Sequence, residues 1–121
     1  MRRELLLLRE MRDAALAIRD LVGGRSAEEL DADALRRSAL LWHFTVLGEA
    51  ASQVPLDAKD AHPQIAWTAA TRLRNRIVHG YWDIDVETLV ATAVDDLPLM
   101  IGQLEGAIST LLDSEDQVRP T

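Results

Sequence analysis

The stretch Arg74-Asn75-Arg76-Ile77-Val78-His79-Gly80-Tyr81 brings guanidinium, imidazole and phenol, three groups that handle phosphate, into one short segment. The remaining chain is poor in such chemistry: it has two other histidines, His43 and His62, no second tyrosine and no cysteine. An imidazole titrates near neutral pH and can take a proton from a ribose 2′-hydroxyl or give one to a departing 5′-oxygen. An arginine stays charged, grips a phosphate bidentately and stabilises charge gathering on its oxygens. With Asn75 to orient ribose or phosphate, this set suits metal-independent RNA transesterification, which leaves a 2′,3′-cyclic phosphate and a 5′-hydroxyl. DNA lacks the attacking hydroxyl and is expected to resist.

The segment closes a helix. Ala66, Ala70, Leu73 and Ile77 repeat at three- and four-residue steps and predict its buried stripe, with Gly80 as its stop. At 100° per residue, and with Leu73 at zero, Arg72, Asn75 and His79 fall at about 260°, 200° and 240°, one solvent-facing strip to which Arg76 adds a further cation. Arg74 lies about 140° from His79 round the axis, too far for a shared face on a regular helix. Either the helix unwinds before His79, or Arg74 meets the histidine of a second copy across a two-fold axis, and the second arrangement is preferred here because it puts two Arg and two His in one groove. Glu49, alone among small and apolar neighbours in Leu47-Gly48-Glu49-Ala50-Ala51, is the candidate to orient an arginine of this helix.

Three further helices are expected to hold this one. Leu8, Met11, Ala15, Ile18 and Val22 mark a first helix of about five turns, ended by Gly23-Gly24. Ser26 and Glu29 have capping-box spacing, suited to a short turn. Asp31 or Asp33 caps a second long helix that runs to about Val54, where Pro55 stops it, with Leu35, Ala39, Trp42, Val46 and Ala50 as its buried stripe. A polar segment from Pro55 to Pro63 leads to the motif helix. The last helix is expected to start at Asp85, to carry Val86, Val90, Ala93, Leu97, Leu104, Ile108 and Leu111, and to kink at Pro98. The expectation is an all-α, antiparallel four- to five-helix bundle forming one domain over residues 1–112, with a frayed tail from Asp113 to Thr121.

Composition limits the alternatives. At 121 residues, 48% hydrophobic, the chain can build one modest core and gains from a partner subunit. Without cysteine it has neither disulfides nor a thiolate nucleophile, and its scattered histidines lack the pairing of a metal site, so neither metal nor cofactor is expected. The net charge of −7 argues against indiscriminate polyanion binding, so any RNA contact must be local. All basic residues except Lys59 are arginine, the better fork for phosphate. The apolar run Leu5 to Leu8 is far too short for a membrane span, and Gly102 and Gly106 fit close helix contact, so a cytoplasmic protein without membrane contact is expected. No glycine-rich phosphate loop is present.

Each candidate also has a plainer explanation. A histidine at a helix end compensates the helix dipole, Arg72, Asn75 and Arg76 suit a solvated face, and Tyr81 and Trp82 suit core plugs or interface anchors. His43, between Trp42 and Phe44, reads as a packed histidine, His62 as a loop residue, and Glu49 equally as a partly exposed helix charge.

Arg74, four residues, His79, one residue and Tyr81 form an Arg-x-x-x-x-His-x-Tyr pattern that resembles the signature of the HEPN superfamily, and the surroundings resemble its HepT-like toxin branch. The likeness extends over about residues 1–112 through Leu47 to Ala51, the Pro63-Gln64-Ile65-Ala66-Trp67 lead-in, Asp85 and Asp96-Leu97-Pro98. It departs at Trp42 and Thr45, where the family pattern often carries Arg and Glu. The resemblance implies a homodimeric, all-helical ribonuclease of a type VII-like toxin–antitoxin pair. Arg74 and His79 would be its catalytic pair, with Asn75, Arg72 and Arg76 contacting RNA. It further implies a minimal nucleotidyltransferase antitoxin as partner, usually encoded next door, which transfers AMP from ATP to the motif tyrosine, here Tyr81. A different class remains open at this stage: a non-catalytic helical subunit that presents the same groove to a nucleotidyltransferase.

Overall fold

The computed structural model of the chain describes residues 2–118, and among them every regular element is helical. In order these are α1 (Arg2–Val22), α2 (Ala27–Asp31), α3 (Ala34–Gln53), α4 (Leu56–Ala61), α5 (Trp67–Gly80), α6 (Val86–Asp95) and α7 (Leu97–Val118), with a short 3-10 turn, Tyr81–Asp83, after α5. Seven helices exceed the expected four or five for identifiable reasons. Short helices α2 and α4 occupy segments expected to be turn and loop. The expected last helix is two, because the chain breaks at Asp96 instead of kinking at Pro98. Pro98 sits in the first turn of α7, where a missing N–H is tolerated, and the Asp96 carbonyl accepts from the Met100 N–H at 3.2 Å. The tail expected from Asp113 is helical as far as Val118, and residues 119–121 lie outside the described part. No helix among the described residues is long and apolar enough to cross a membrane.

Local chemistry accounts for most boundaries. Gly23 and Gly24 end α1 with φ of 44° and 81°, left-handed backbone that other residues adopt at a cost. Ser26 Oγ accepts from the Glu29 N–H while Glu29 Oε1 accepts from the Ser26 N–H, a complete capping box that starts α2. Asp33 caps α3 through Arg36 N–H at 3.1 Å, and Asp85 caps α6 through Glu87 N–H at 3.0 Å.

The core runs between α1, α3, α5 and α7. Leu8, Met11, Ala15, Ile18 and Val22 of α1 are all buried, each large side chain contributing on the order of 1.5–3 kcal/mol. Of the stripe expected on α3, Ala50 is buried and Val46 partly so, whereas the expectation for Leu35 and Trp42 is corrected. Leu35 is 86% exposed and Trp42 63%, while Leu40, Phe44, Leu47, Gly48, Ala50 and Ala51 face inward. Apolar residues surround much of α3, so periodicity alone admits more than one buried face, and contacts with α1 and α5 select the one bearing Phe44 and Gly48. The neighbours run antiparallel. Arg3 near the start of α1 donates to Gln53 Oε1 at the end of α3, and Ser52 shares a pocket wall with Trp67 at the start of α5 while Trp42 shares another with Val78.

Gly48 sets the separation of α3 from α5. A Cβ added there would stand 2.5 Å from the Ala70 carbonyl oxygen and closer still to Arg74 Cβ. Because the obstruction is α5 backbone and the root of a side chain, it cannot swing aside. Gly48→Ala is therefore expected to lower unfolding free energy by about 1–3 kcal/mol. Gly102→Ala, whose added methyl meets nothing within 4 Å, should instead raise it by about 0.5–1 kcal/mol. Urea denaturation at one protein concentration measures both, and equal behaviour of the two variants would refute the close-approach account.

Candidate active site

The motif helix is anchored at its start and polar towards its end. Ile65 and Trp67 are buried, and the Trp67 indole N–H donates to the His62 carbonyl at 3.0 Å, fixing the point where α5 begins. Ala70 and Ile77 are buried and Leu73 partly so. The helix continues unbroken through Gly80. Gly80 has φ −167°, extended backbone rather than the left-handed cap often found at such glycines, and the 3-10 turn carries the chain onward.

Arg74 is held from two sides. Its Nη2 donates to Glu49 Oε2 at 2.5 Å across the α3–α5 contact, and its Nη1 donates to Asn75 Oδ1 at 2.5 Å. The Nε is enclosed and has no hydrogen-bond partner. Glu49 in turn accepts from Gln53 Nε2 at 2.9 Å. The Gln53 hydrogen bond, then the hydrogen bond and charge of Arg74, hold the Glu49 carboxyl below the usual glutamate range, against a smaller opposing effect of burial. Gln53 was not a sequence candidate; its signal was the four-residue step from Glu49 on one helix.

The other candidates lie on the outer surface of α5. Arg72, Asn75, Arg76 and His79 are exposed. On this regular helix His79 stands about 140° round the axis from Arg74, so unwinding, one of the two routes left open by the sequence, is not taken. Tyr81 is 57% exposed and meets Trp82 edge to face, with ring centroids 5.3 Å apart and planes at 77°. Neither ring plugs the core. Three grooves border α5. That at its start, of about 500 Å³, lies beside Trp67, Thr71, Arg72, Leu56 and Asp60, and the other two flank the motif. One, of about 380 Å³, runs between Arg74 and Val78 on one side and Trp42, Val46 and Glu49 on the other. The second, of about 510 Å³, lies on the opposite side, with Arg72 and Arg76 on its edge and α6–α7 as its far wall. His43 belongs to α3 and His62 closes α4, each away from the motif in sequence. Among the described residues no three His, Asp or Glu side chains come together as metal ligands do.

Residues 11–106 match the family described as HepT-like, Ribonuclease HepT-like. The chain belongs to the HepT-like ribonuclease family. Its relatives include "Probable ribonuclease HepT" of Thermococcus cleftensis, 32% identical over 78 residues, spanning 64% of this chain and 71% of the relative. A Methanocaldococcus jannaschii protein named as a candidate RNase is 27% identical over 111 residues, 92% of this chain and 88% of its own. Another so named, from Caldanaerobacter subterraneus, is 22% identical over 94 residues, 78% and 80% of the two chains. No solved structure matches with significance. The match runs from the middle of α1 into α7, so it includes Glu49 and the whole of α5. An RNA substrate follows from membership of this HepT-like family.

The Glu49–Arg74 pair has a pH signature. A carboxyl whose folded value is lowered adds stability above its ordinary range, and that contribution disappears as pH falls through the lowered value. Wild type is therefore expected to exceed Glu49→Gln in stability at neutral pH, with the gap closing below the ordinary glutamate range. Thermal melts of both proteins across acidic pH measure the gap, and a gap independent of pH would remove the pair as its source.

Proposed function

We propose that this HepT-like ribonuclease is the toxin of a toxin–antitoxin pair, and that it cuts RNA without a metal at a site built by two copies of the chain. The carrying observation is the division of α5: Arg74 is tied towards α3 by Glu49, while His79 projects from another side of the same unbroken helix. A two-fold related copy resolves the separation by bringing its own imidazole to the first copy's guanidinium. Support comes from the apolar surface beside Arg74, where Trp42 and Val78 are exposed next to Leu7 and Val46. Exposed aromatic and aliphatic surface at a groove is what a subunit contact covers. The unpartnered Arg74 Nε also favours an acceptor that arrives with ligand or partner.

In the proposed reaction a ribose 2′-oxygen attacks the adjacent phosphorus, the bond from phosphorus to the 5′-oxygen breaks, and a cyclic phosphate and a 5′-hydroxyl result. His79 carries the proton transfer, from the 2′-hydroxyl or to the departing oxygen. Arg74, already oriented by Glu49, neutralises charge on the phosphoryl oxygens. Asn75 orients the arginine, and Arg72 and Arg76 attract neighbouring phosphates. Regulation follows from Tyr81: its exposed phenol is open to adenylylation by a nucleotidyltransferase antitoxin. An added AMP puts bulk and negative charge where RNA phosphate would approach, and so excludes substrate by occlusion and repulsion.

The test is cleavage of a single-stranded RNA in excess EDTA. Arg74→Ala and His79→Ala are each expected to lose about 100-fold or more in rate. Co-expressed, the two variants should recover about a quarter of wild-type activity, since random pairing puts one intact composite site in half of the dimers. Equal rates in all proteins would end the catalytic assignment, and no recovery on co-expression would place both groups in one chain. Incubation with ATP and a minimal nucleotidyltransferase, if one is encoded beside this chain, should add AMP mass to wild type and none to Tyr81→Phe. Equal addition to both would move the modification elsewhere.

A further inference from the structure

The groove bordered by Arg72 and Arg76 has no part in the proposed dimer or in the bond-breaking step, yet it is larger than the groove beside Arg74. Its volume of about 510 Å³ falls in the range of small-ligand sites. Its floor is apolar, with Leu73 from α5 and Leu97 and Met100 from α7, and Leu99 stands exposed at its mouth. Its edge carries Arg72 and Arg76. Neither guanidinium has a carboxylate within ion-pair distance among the described residues, unlike those of Arg12, Arg19, Arg36, Arg37 and Arg74. Two uncompensated cations over an apolar trough are an unusual arrangement on a chain of net charge −7.

The position of these cations narrows the occupant. Arg76 lies one turn beyond Arg72, about 6 Å further along α5, and His79 follows Arg76 by about 4.5 Å of rise. Round the axis, Arg72 and Arg76 lie within about 20° and 60° of His79. The three side chains form one track that leads from the histidine to the groove. A nucleotide has the matching chemistry: a phosphate for the arginines and a flat, largely apolar base for the trough. Gln103 and Asp96 on the lining offer polar groups to a base edge. Gln103 is partly committed, its Nε2 donating to the Gln64 carbonyl at 3.3 Å, which leaves its side-chain oxygen as an acceptor. An acidic peptide would satisfy the arginines, but its backbone offers no flat face to lie against Leu73, Leu97 and Met100.

We infer that the groove between α5 and the α6–α7 junction is a subsite for a nucleotide of single-stranded RNA flanking the one that is cut, with its base against Leu73, Leu97 and Met100 and its phosphates on Arg72 and Arg76. This rests on the ribonuclease reading of His79 and Arg74. The groove anchors the strand, so its contribution appears in substrate affinity.

The experiment uses full-length His79→Ala protein, which binds without cutting, and a fluorescein-labelled single-stranded RNA oligonucleotide read by anisotropy over a salt series. Added Arg72→Ala and Arg76→Ala changes should weaken binding by on the order of ten-fold and make the salt dependence shallower by about 1.4 in log–log slope, two phosphate contacts' worth. Ala69→Phe fills the trough from an exposed position on its lining. It should weaken binding several-fold with the slope unchanged. Circular dichroism melts confirm that each variant is folded. Unaltered affinity in both variants overturns the subsite. So does unaltered RNA affinity accompanied by lost binding of the nucleotidyltransferase, which would assign the groove to a protein. Failure of wild type to cleave RNA in EDTA refutes the underlying ribonuclease reading, whereas cleavage with groove variants that bind normally refutes the subsite alone.

Discussion

The approach of α3 to α5 at Gly48 governs the geometry of this protein. With no side chain at that position the two helices touch along backbone and the root of Arg74, a separation that no other residue type permits. The next residue, Glu49, then reaches Arg74 directly, and Gln53 one turn later holds Glu49. The result is a guanidinium whose direction is set by packing as well as by charge. Preorganised charge is more effective in a transition state than charge that must move into place, so, on the proposed role of Arg74, a missing methyl group in one helix would serve catalysis on another.

The same contact divides the surface of α5. Because Gly48 draws one flank of the helix against α3, Arg74 and Val78 border a groove with Trp42, while Arg72 and Arg76 turn to the opposite groove formed with α6 and α7. The helix, unbroken as far as His79, preserves this division almost to its end. One helix thus offers an oriented arginine to one side, a basic edge to the other and an imidazole between them. An arrangement of this kind needs a rigid support, and the buried Ile65, Trp67, Ala70 and Ile77 supply it.

Much of this was legible in the residues, and what was not has physical causes. The stripe of α1 and the caps at Ser26 and Asp85 could be read because one periodicity or one short-range hydrogen bond decides each of them, whereas at α3 the choice between Asp31 and Asp33 was left to the structure, which takes Asp33. On α3 apolar side chains surround the helix, so the choice between the face with Leu35 and Trp42 and the face with Phe44 and Leu47 is made by distant partners. The break at Asp96 depends on how α6 and α7 settle on α1, which spacing does not encode. Glu49 could be suspected from its small neighbours, but the tightness of its contact came from Gly48, and glycine carries no pattern of its own. The closing residues of α5 were readable as candidates, whereas the two grooves beside them are properties of four helices together.

An acidic ribonuclease is less paradoxical than its net charge suggests. Ionic screening at physiological salt reduces charge effects beyond about 8 Å, so a strand lying along α5, as proposed, would respond chiefly to Arg72 and Arg76 and little to carboxylates across the molecule. Those distant carboxylates still act on long polyanions that try to lie elsewhere on the surface, where arginines such as Arg12, Arg19, Arg36 and Arg37 are already paired with carboxylates. The balance therefore suppresses non-specific adhesion while leaving one basic track open. The confined track also bears on the proposed control, in which an adenylyl group would be added to the exposed Tyr81. On a uniformly basic surface one added phosphate would be a small perturbation, but beside only two arginines it would offset a large share of the local positive charge.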